Sequence, residues 1–157
     1  NYTEGDPSDA ADLYGQAKHQ GEVADAHSVT LLTSVIGHEL ATNLALLDWF
    51  LSQRGQAIKG FTKAIYSGFT TLEMARIVDR ILTQHPALSG VWHVASEPIS
   101  KFGLLELCRE NLGWEGVIEP NDEFVCDRSL NADRFNQATG YSPPSWEAMI
   151  SELAQQS

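Results

Sequence analysis

Residues 28–36 read SVTLLTSVI, nine positions without a charge, rich in β-branched side chains and closed by Gly37. A run of this length and polarity hides both faces only inside a covered sheet, which predicts a buried strand over 28–36. A second such run, SGVWHVAS, predicts another strand over 89–96. Around them the apolar residues recur at helical spacing, over 10–26, 43–55, 70–86 and 100–113. The helix over 70–86 is the best marked. Thr70 or Thr71 caps it, Leu72, Ala75, Ile77, Val78, Ile81 and Leu82 form its apolar stripe, and Pro86 closes it. Ser100 caps the next helix and Gly113 stops it. Short strands fit the glycine-punctuated stretch 57–69 and the pieces GVIEP and EFVCD, and two last helices fit 131–139 and 145–155. Strands alternating with helices predict an α/β protein with a partly parallel sheet. No repeat, low-complexity tract or linker divides residues 1–157, which predicts a single unit.

Charge narrows the partners. The net charge of −11, from 21 acids against 10 Lys and Arg, argues against nucleic acid, because phosphate binding needs a basic face. No apolar stretch is long enough to span a membrane and no secretory leader opens the sequence, so a cytoplasmic location is expected. Cys108 and Cys126 form neither a metal spacing nor a disulfide framework and read as ordinary thiols. The stretch GHELAT begins like a zinc-protease helix, but position 42 is Thr42 where a second histidine is required. The five histidines have no ligand spacing, so no metal is expected, and His93 reads as a hydrogen-bonded core residue. Trp49, Trp92, Trp114 and Trp146 lie in separate elements and read as core. No glycine-rich phosphate loop occurs anywhere in the sequence.

The stretch DLYGQAKHQGE places Tyr14 four positions before Lys18, one turn apart on the same helix face. An ammonium beside a phenol favours the phenolate and eases proton transfer near neutral pH. The same pair also suits a half-exposed amphipathic helix. The spacing alone does not choose between them.

Its surroundings do. NYTEGDPSDAADLYGQAKHQGE resembles the catalytic segment of extended short-chain dehydrogenases/reductases, the NAD-dependent epimerase/dehydratase family. There an acidic, proline-containing loop leads to Tyr-Gly-x-x-Lys and then Gly-Glu. SVTLLTSVIGHE resembles that family's next strand, and GFTTLEMARIVDRIL the helix after its substrate loop. LSGVWHVASEPISKFGLLELCRENLG resembles the following strand and helix. DRSLNADRFNQATGYSPPSWEAMI is similar to the closing segment of nucleotide-sugar reductases of the dTDP-4-dehydrorhamnose reductase kind.

The resemblance implies the C-terminal half of an NAD(P)-binding Rossmann-like fold. It implies an enzyme that uses NAD or NADP to reduce, epimerise or dehydrate a nucleotide-linked sugar in polysaccharide sugar biosynthesis. Tyr14 would be the general acid/base. Lys18 would support it and bind the nicotinamide ribose, and Thr33, Ser34 and Val35 would lie near the nicotinamide. Arg128, in DRSLN, would contact substrate phosphate, since guanidinium matches phosphate as a fork; a salt bridge with Asp127 or Asp133 is its ordinary alternative. Glu22 reads as a structural helix-face residue.

Two departures matter. The family's Gly-x-x-Gly-x-x-Gly turn, which holds the pyrophosphate, is not in this sequence, nor is the glycine-rich βαβ half that carries it. DRSLN also lacks the proline and final aspartate of the usual closing run. The isolated chain is therefore expected to bind no dinucleotide and to show no activity. The alternative is a non-enzymatic α/β interaction or oligomerisation module derived from the same fold. Either way, a sheet edge deprived of neighbours predicts a homodimer or swapped assembly.

Overall fold

Asp12 ends the acidic opening segment by accepting a hydrogen bond from the Gly15 amide at 2.6 Å, and the chain turns into helix α1 (Leu13–Gln20). The computed structural model describes residues 1–39 and 45–156. α1 is shorter than the expected 10–26, because Asp12 caps it late and Gly21 ends it through bonds to the Ala17 and Lys18 carbonyls. The run 28–36 divides into β1 (Val29–Leu32) and β2 (Val35–Ile36). All four β1 residues are half-buried rather than buried, which corrects the expectation of a fully covered strand.

α2 (Leu46–Ser52) follows; residues 43–44 of the helix expected there, like Thr42, lie outside the described residues. The glycine-punctuated stretch yields β3 (Ala57–Phe61), β4 (Ala64–Tyr66) and β5 (Phe69–Thr70). α3 (Thr71–Gln84) starts at Thr70, whose hydroxyl accepts from the Glu73 amide. β6 (Gly90–His93) and β7 (Ile99–Ser100) precede α4 (Lys101–Leu112), capped by the Ser100 side chain and stopped at Gly113. Gly113 has φ +57°, a left-handed turn that glycine adopts without a Cβ penalty. The chain closes with β8 (Val117–Asn121), β9 (Cys126–Asp127), α5 (Asp133–Thr139) and α6 (Trp146–Ala154).

Pairing is mostly parallel: β1 with β6, β2 with β5, and β3 with β8 over five residues. β4 lies between β9, parallel, and β7, antiparallel. Such parallel pairs, joined by helical crossovers, make a mixed α/β fold of Rossmann-like character.

One core joins these layers. Phe50 stacks on Trp114 with ring centroids 4.5 Å apart, and the Trp114 indole donates to the Phe50 carbonyl at 2.9 Å. Trp92, Trp114 and Trp146 are buried as expected, but Trp49 is 37% exposed on the outer side of α2. α3 corrects its expected stripe. Glu73, Ile77 and Ile81, four apart, are its buried residues, whereas Val78 is 41% and Leu82 69% exposed. The buried Glu73 is admitted because it is fully paired. Its carboxylate accepts the Tyr141 hydroxyl at 2.6 Å and Arg76 at 3.0 Å, and Arg76 also grips Glu152 of α6. Burial, then the neighbouring carboxylate, push the Tyr141 phenol far up, so it remains a donor. Burial likewise pushes the Cys108 thiol up to about 12, so this cysteine is a packed thiol rather than a nucleophile.

The two faces of α3 should separate in a stability measurement. Ile77→Ala should cost about 2–4 kcal/mol in chemical unfolding. Leu82→Ala should change stability by less than about 0.5 kcal/mol. Equal losses would mean that Leu82 is packed as deeply as Ile77.

Candidate active-site groove

The acidic opening segment is pinned before it reaches α1. The Tyr2 amide donates to the Ser129 carbonyl at 2.9 Å, and the Tyr2 carbonyl accepts from the Asn131 amide at 2.7 Å. It also accepts Nδ1 of the buried His93 at 3.0 Å, which fixes the Nδ1–H tautomer because a carbonyl only accepts. Glu4 accepts the His93 backbone amide at 3.0 Å and faces Arg134 at 3.8 Å, while the Arg134 guanidinium lies 3.9 Å over the Trp92 ring. His93 is thus the hydrogen-bonded core residue expected. Its role is to tie residues 1–4 to β6.

From this anchor the chain reaches α1, where Tyr14 and Lys18 occupy the same helix face. The Lys18 ammonium lies 5.6 Å from the Tyr14 ring centroid, and the Tyr14 side chain is exposed. Both line an open groove of about 750 Å³ whose opposite wall is Thr30, Leu31, Leu32, Thr33 and Ser34. Thr33 and Ser34 occupy the break between β1 and β2. Gly68 makes that position possible: a Cβ there would come within 2.3 Å of the Ser34 carbonyl oxygen. The Ser34 carbonyl instead accepts the Phe69 amide at 3.0 Å.

Four of the six residues singled out from sequence, Tyr14, Lys18, Thr33 and Ser34, therefore share one groove. Val35 does not. It is 48% exposed and lines a separate apolar hollow with Thr71, Met74, Ala75 and Val78. Arg128 is exposed away from the groove wall, its amide donating to the Ile65 carbonyl at 3.1 Å. The alternative given for Arg128, a salt bridge with Asp127 or Asp133, does not form among the described residues. Asp127 accepts from the Ser129 hydroxyl and amide, and Asp133 accepts from Asn131. Glu22, expected on a helix face, instead lies just past the end of α1, where it lines the groove and pairs with His19 at 3.3 Å.

One constellation escaped sequence reasoning. His38 Nδ1 lies 2.7 Å from Asp48, whose other oxygen accepts the Glu39 amide at 2.6 Å. These hydrogen bonds, the Glu39 amide first, hold the Asp48 carboxyl below its usual range. GHEL followed ten residues later by an acid near a helix start was the available signal. No group of His, Cys, Asp and Glu suited to a metal occurs among the described residues, and no helix there is long and apolar enough to cross a membrane.

No family model and no curated protein matches this sequence. The fold, however, is known: it is the Rossmann-like α/β architecture of nucleotide-sugar reductases and NAD-dependent epimerases and dehydratases. In particular it is similar to a hypothetical dTDP-4-dehydrorhamnose reductase from Sulfolobus tokodaii, at 23% identity and TM-score 0.73, over 95% of this chain and 57% of that one. A dTDP-4-dehydrorhamnose reductase from Bacillus anthracis, solved with NADP, is similar at 17% identity and TM-score 0.79, over 99% and 59%. The Bordetella bronchiseptica enzyme WbmG, solved with NAD and UDP, is similar at 19% and TM-score 0.59, over 89% and 46%. The chain thus spans about 57–60% of the length of the reductases it matches.

If His93 holds the opening segment in place, His93→Phe should free it. Losing one buried hydrogen bond costs about 1–3 kcal/mol, a factor of about 5 to 150 in local opening. Limited proteolysis within residues 3–9 should accelerate by that factor while α4 and α6 stay resistant.

Proposed function

We propose that this chain forms the nicotinamide-side and substrate-side part of an NAD(P)-dependent nucleotide-sugar oxidoreductase, epimerase or dehydratase of polysaccharide sugar biosynthesis. The observation that carries this reading is the groove shared by Tyr14, Lys18, Thr33 and Ser34. The similarity to proteins solved with NADP, NAD and UDP supports it.

In this reading Tyr14 is the general acid/base: its phenol gives a proton to a sugar carbonyl oxygen as that carbonyl is reduced, or takes it back in reverse. Lys18, one turn on, hydrogen-bonds the ribose and stabilises negative charge developing on the phenol oxygen. Thr33 and Ser34 face the nicotinamide, with Val35 at the margin. Arg128, exposed and without an ion pair among the described residues, takes the substrate phosphate. NAD or NADP would supply or accept the hydride in the complete enzyme. These groups suit its nicotinamide end, whereas a glycine turn for its pyrophosphate does not occur in the sequence.

The chain alone is therefore proposed to bind no dinucleotide and to be inactive. Its thiols suit a reducing compartment such as the cytoplasm. A second reading, a non-enzymatic association module, is favoured by one observation: α1 has no buried residue and Leu13 is 83% exposed. Both readings leave apolar surface to be covered, by a homodimer or a swapped assembly of the isolated chain.

Calorimetry with NADP should show no binding to the isolated chain. Once a glycine-turn half is joined before Asn1, turnover on a nucleotide sugar should appear. Tyr14→Phe should then lower the rate by about a hundred- to ten-thousand-fold, and Lys18→Met should weaken both cofactor binding and rate. Full activity in Tyr14→Phe would leave the association module as the function. Sedimentation of the isolated chain at micromolar concentration should give a mass above the 17.3 kDa monomer; a clean monomer counts against self-assembly.

A further inference from the structure

Beside the groove, under the opening segment, lies a second hollow of about 220 Å³. Four acids line it, Glu4, Asp6, Asp9 and Glu22, together with His19 and the buried His93. Pockets for whole ligands begin at about 300 Å³, so a hollow of this size suits one functional group of a larger ligand. Ser8, His19, Glu22, Leu32 and Leu130 line both spaces, which makes the hollow a side chamber of the groove that holds Tyr14 and Lys18. His93 is only 4% exposed, and its Nδ1–H is committed to the Tyr2 carbonyl at 3.0 Å. Nε2, on the other side of the ring, then carries a lone pair. It has no hydrogen-bond partner among the described residues, and it is not one of the unpartnered atoms sealed from solvent there. A side chain otherwise enclosed thus keeps one accessible acceptor, and the open space it borders is this hollow.

The acids have capacity left as well. Each spends one oxygen on the protein: Glu4 Oε1 on the His93 amide at 3.0 Å, Asp6 Oδ2 on the Thr3 amide and hydroxyl at 2.7 and 2.9 Å, Asp9 Oδ2 on the Tyr2 hydroxyl at 2.7 Å, and Glu22 Oε1 on His19 at 3.3 Å. The second oxygen of each has no partner among the described residues. The Thr3 amide and hydroxyl hold the Asp6 carboxyl below its usual range, so it stays charged at neutral pH. Against the four acids stand Arg134, 3.8 Å from Glu4, and His19 beside Glu22, which leaves the hollow negative. Among the described residues no group of His, Cys, Asp and Glu is suited to a metal ion. Acceptors that are negative and spread apart match a cation carrying its own donors in several directions. We infer that this side chamber takes the ammonium group of an amino sugar whose nucleotide-linked remainder lies in the groove. The sugar rests on the proposed function, the amine on the chamber alone. An ammonium brings three N–H donors, one for His93 Nε2 and the others for the spare oxygens of Asp6 and its neighbours, in charge-assisted bonds about twice as strong as neutral ones. A sugar hydroxyl has a single donor and leaves these acceptors unmet. An acetamido group would turn a carbonyl oxygen toward carboxylates.

Titration of the isolated chain with glucosamine hydrochloride, followed by nitrogen NMR of the imidazoles, tests the chamber directly. The His93 Nε2 signal should shift and saturate. Its apparent affinity should exceed that for glucose, N-acetylglucosamine or methylammonium chloride, at matched ionic strength, by about tenfold or more. Asp6→Asn combined with Glu22→Gln removes two charges and keeps an oxygen acceptor for Thr3. It should weaken glucosamine by about tenfold or more, while the His93 Nδ1–H signal shows the bond to Tyr2 intact. Should that variant not fold, the comparison of the three sugars on the unaltered chain still decides. A His93 signal that glucosamine leaves unmoved overturns the inference. So does an equal response to glucose or N-acetylglucosamine, and so does an equal response to methylammonium, which needs no sugar. A fusion with a glycine-turn half before Asn1 separates this inference from the proposed function. Glucosamine binding without turnover on any nucleotide sugar keeps the chamber and removes the catalytic reading of Tyr14. Turnover that does not favour UDP-glucosamine over UDP-N-acetylglucosamine keeps the enzyme and overturns the chamber.

Discussion

The parallel pairing of residues 28–36 with β6 and then β5 positions the groove proposed as the site. It sets the height at which Thr33 and Ser34 leave the ladder. It holds β6 so that His93 can grip the Tyr2 carbonyl, and it aligns the groove with α1. Among the described residues these bonds run to one side of β1 only. Every β1 residue is correspondingly half-buried.

Much of this was legible in the sequence, for physical reasons that vary by element. Most elements whose ends are set by local chemistry read correctly, the exception being α1, capped late by Asp12 and ended early at Gly21. Thr70, Ser100 and Ser145 each accept from the amide three residues on, and Gly113 and Gly140 supply left-handed backbone after helices. Tyr14 and Lys18 were legible because their relation is also local. What failed was burial. The stripe on α3 was assigned from hydrophobicity alone, yet Leu82 is exposed while the charged Glu73 is inside. The Arg76–Glu73 pair follows the local i,i+3 spacing, but no local rule reveals the Tyr141 hydroxyl that also donates to Glu73, because Tyr141 is far away in sequence. The resemblance grouped Val35 with Thr33 and Ser34, but Val35 opens β2 beyond the break and lines the neighbouring hollow instead.

The Glu73 cluster explains how a chain of net charge −11 keeps its C-terminal helices in place. Arg76 joins α3 to α6 through Glu152, and the Arg80 guanidinium donates to the Thr139 carbonyl at the end of α5. A guanidinium serves here better than an ammonium, because its planar fork meets a carboxylate with two parallel hydrogen bonds. The half-exposed Arg76–Glu152 contact alone contributes little. The Glu73 carboxylate contributes more by being satisfied, since a buried charge stripped of one partner is costly. The network orients rather than powers the fold.

Exposure also decides what the Tyr14–Lys18 pair can do in this chain. Two charges about 5 Å apart interact by less than about 1 kcal/mol in water, and by about four times as much at an effective dielectric near 20. The pair sits on a helix with no buried residue, beside a groove open along its length. Water screens the ammonium there and competes for every hydrogen bond the phenol could offer a carbonyl. General acid–base catalysis draws its advantage from a preorganised, drier site. A wall over the groove would therefore change the chemistry without moving either residue.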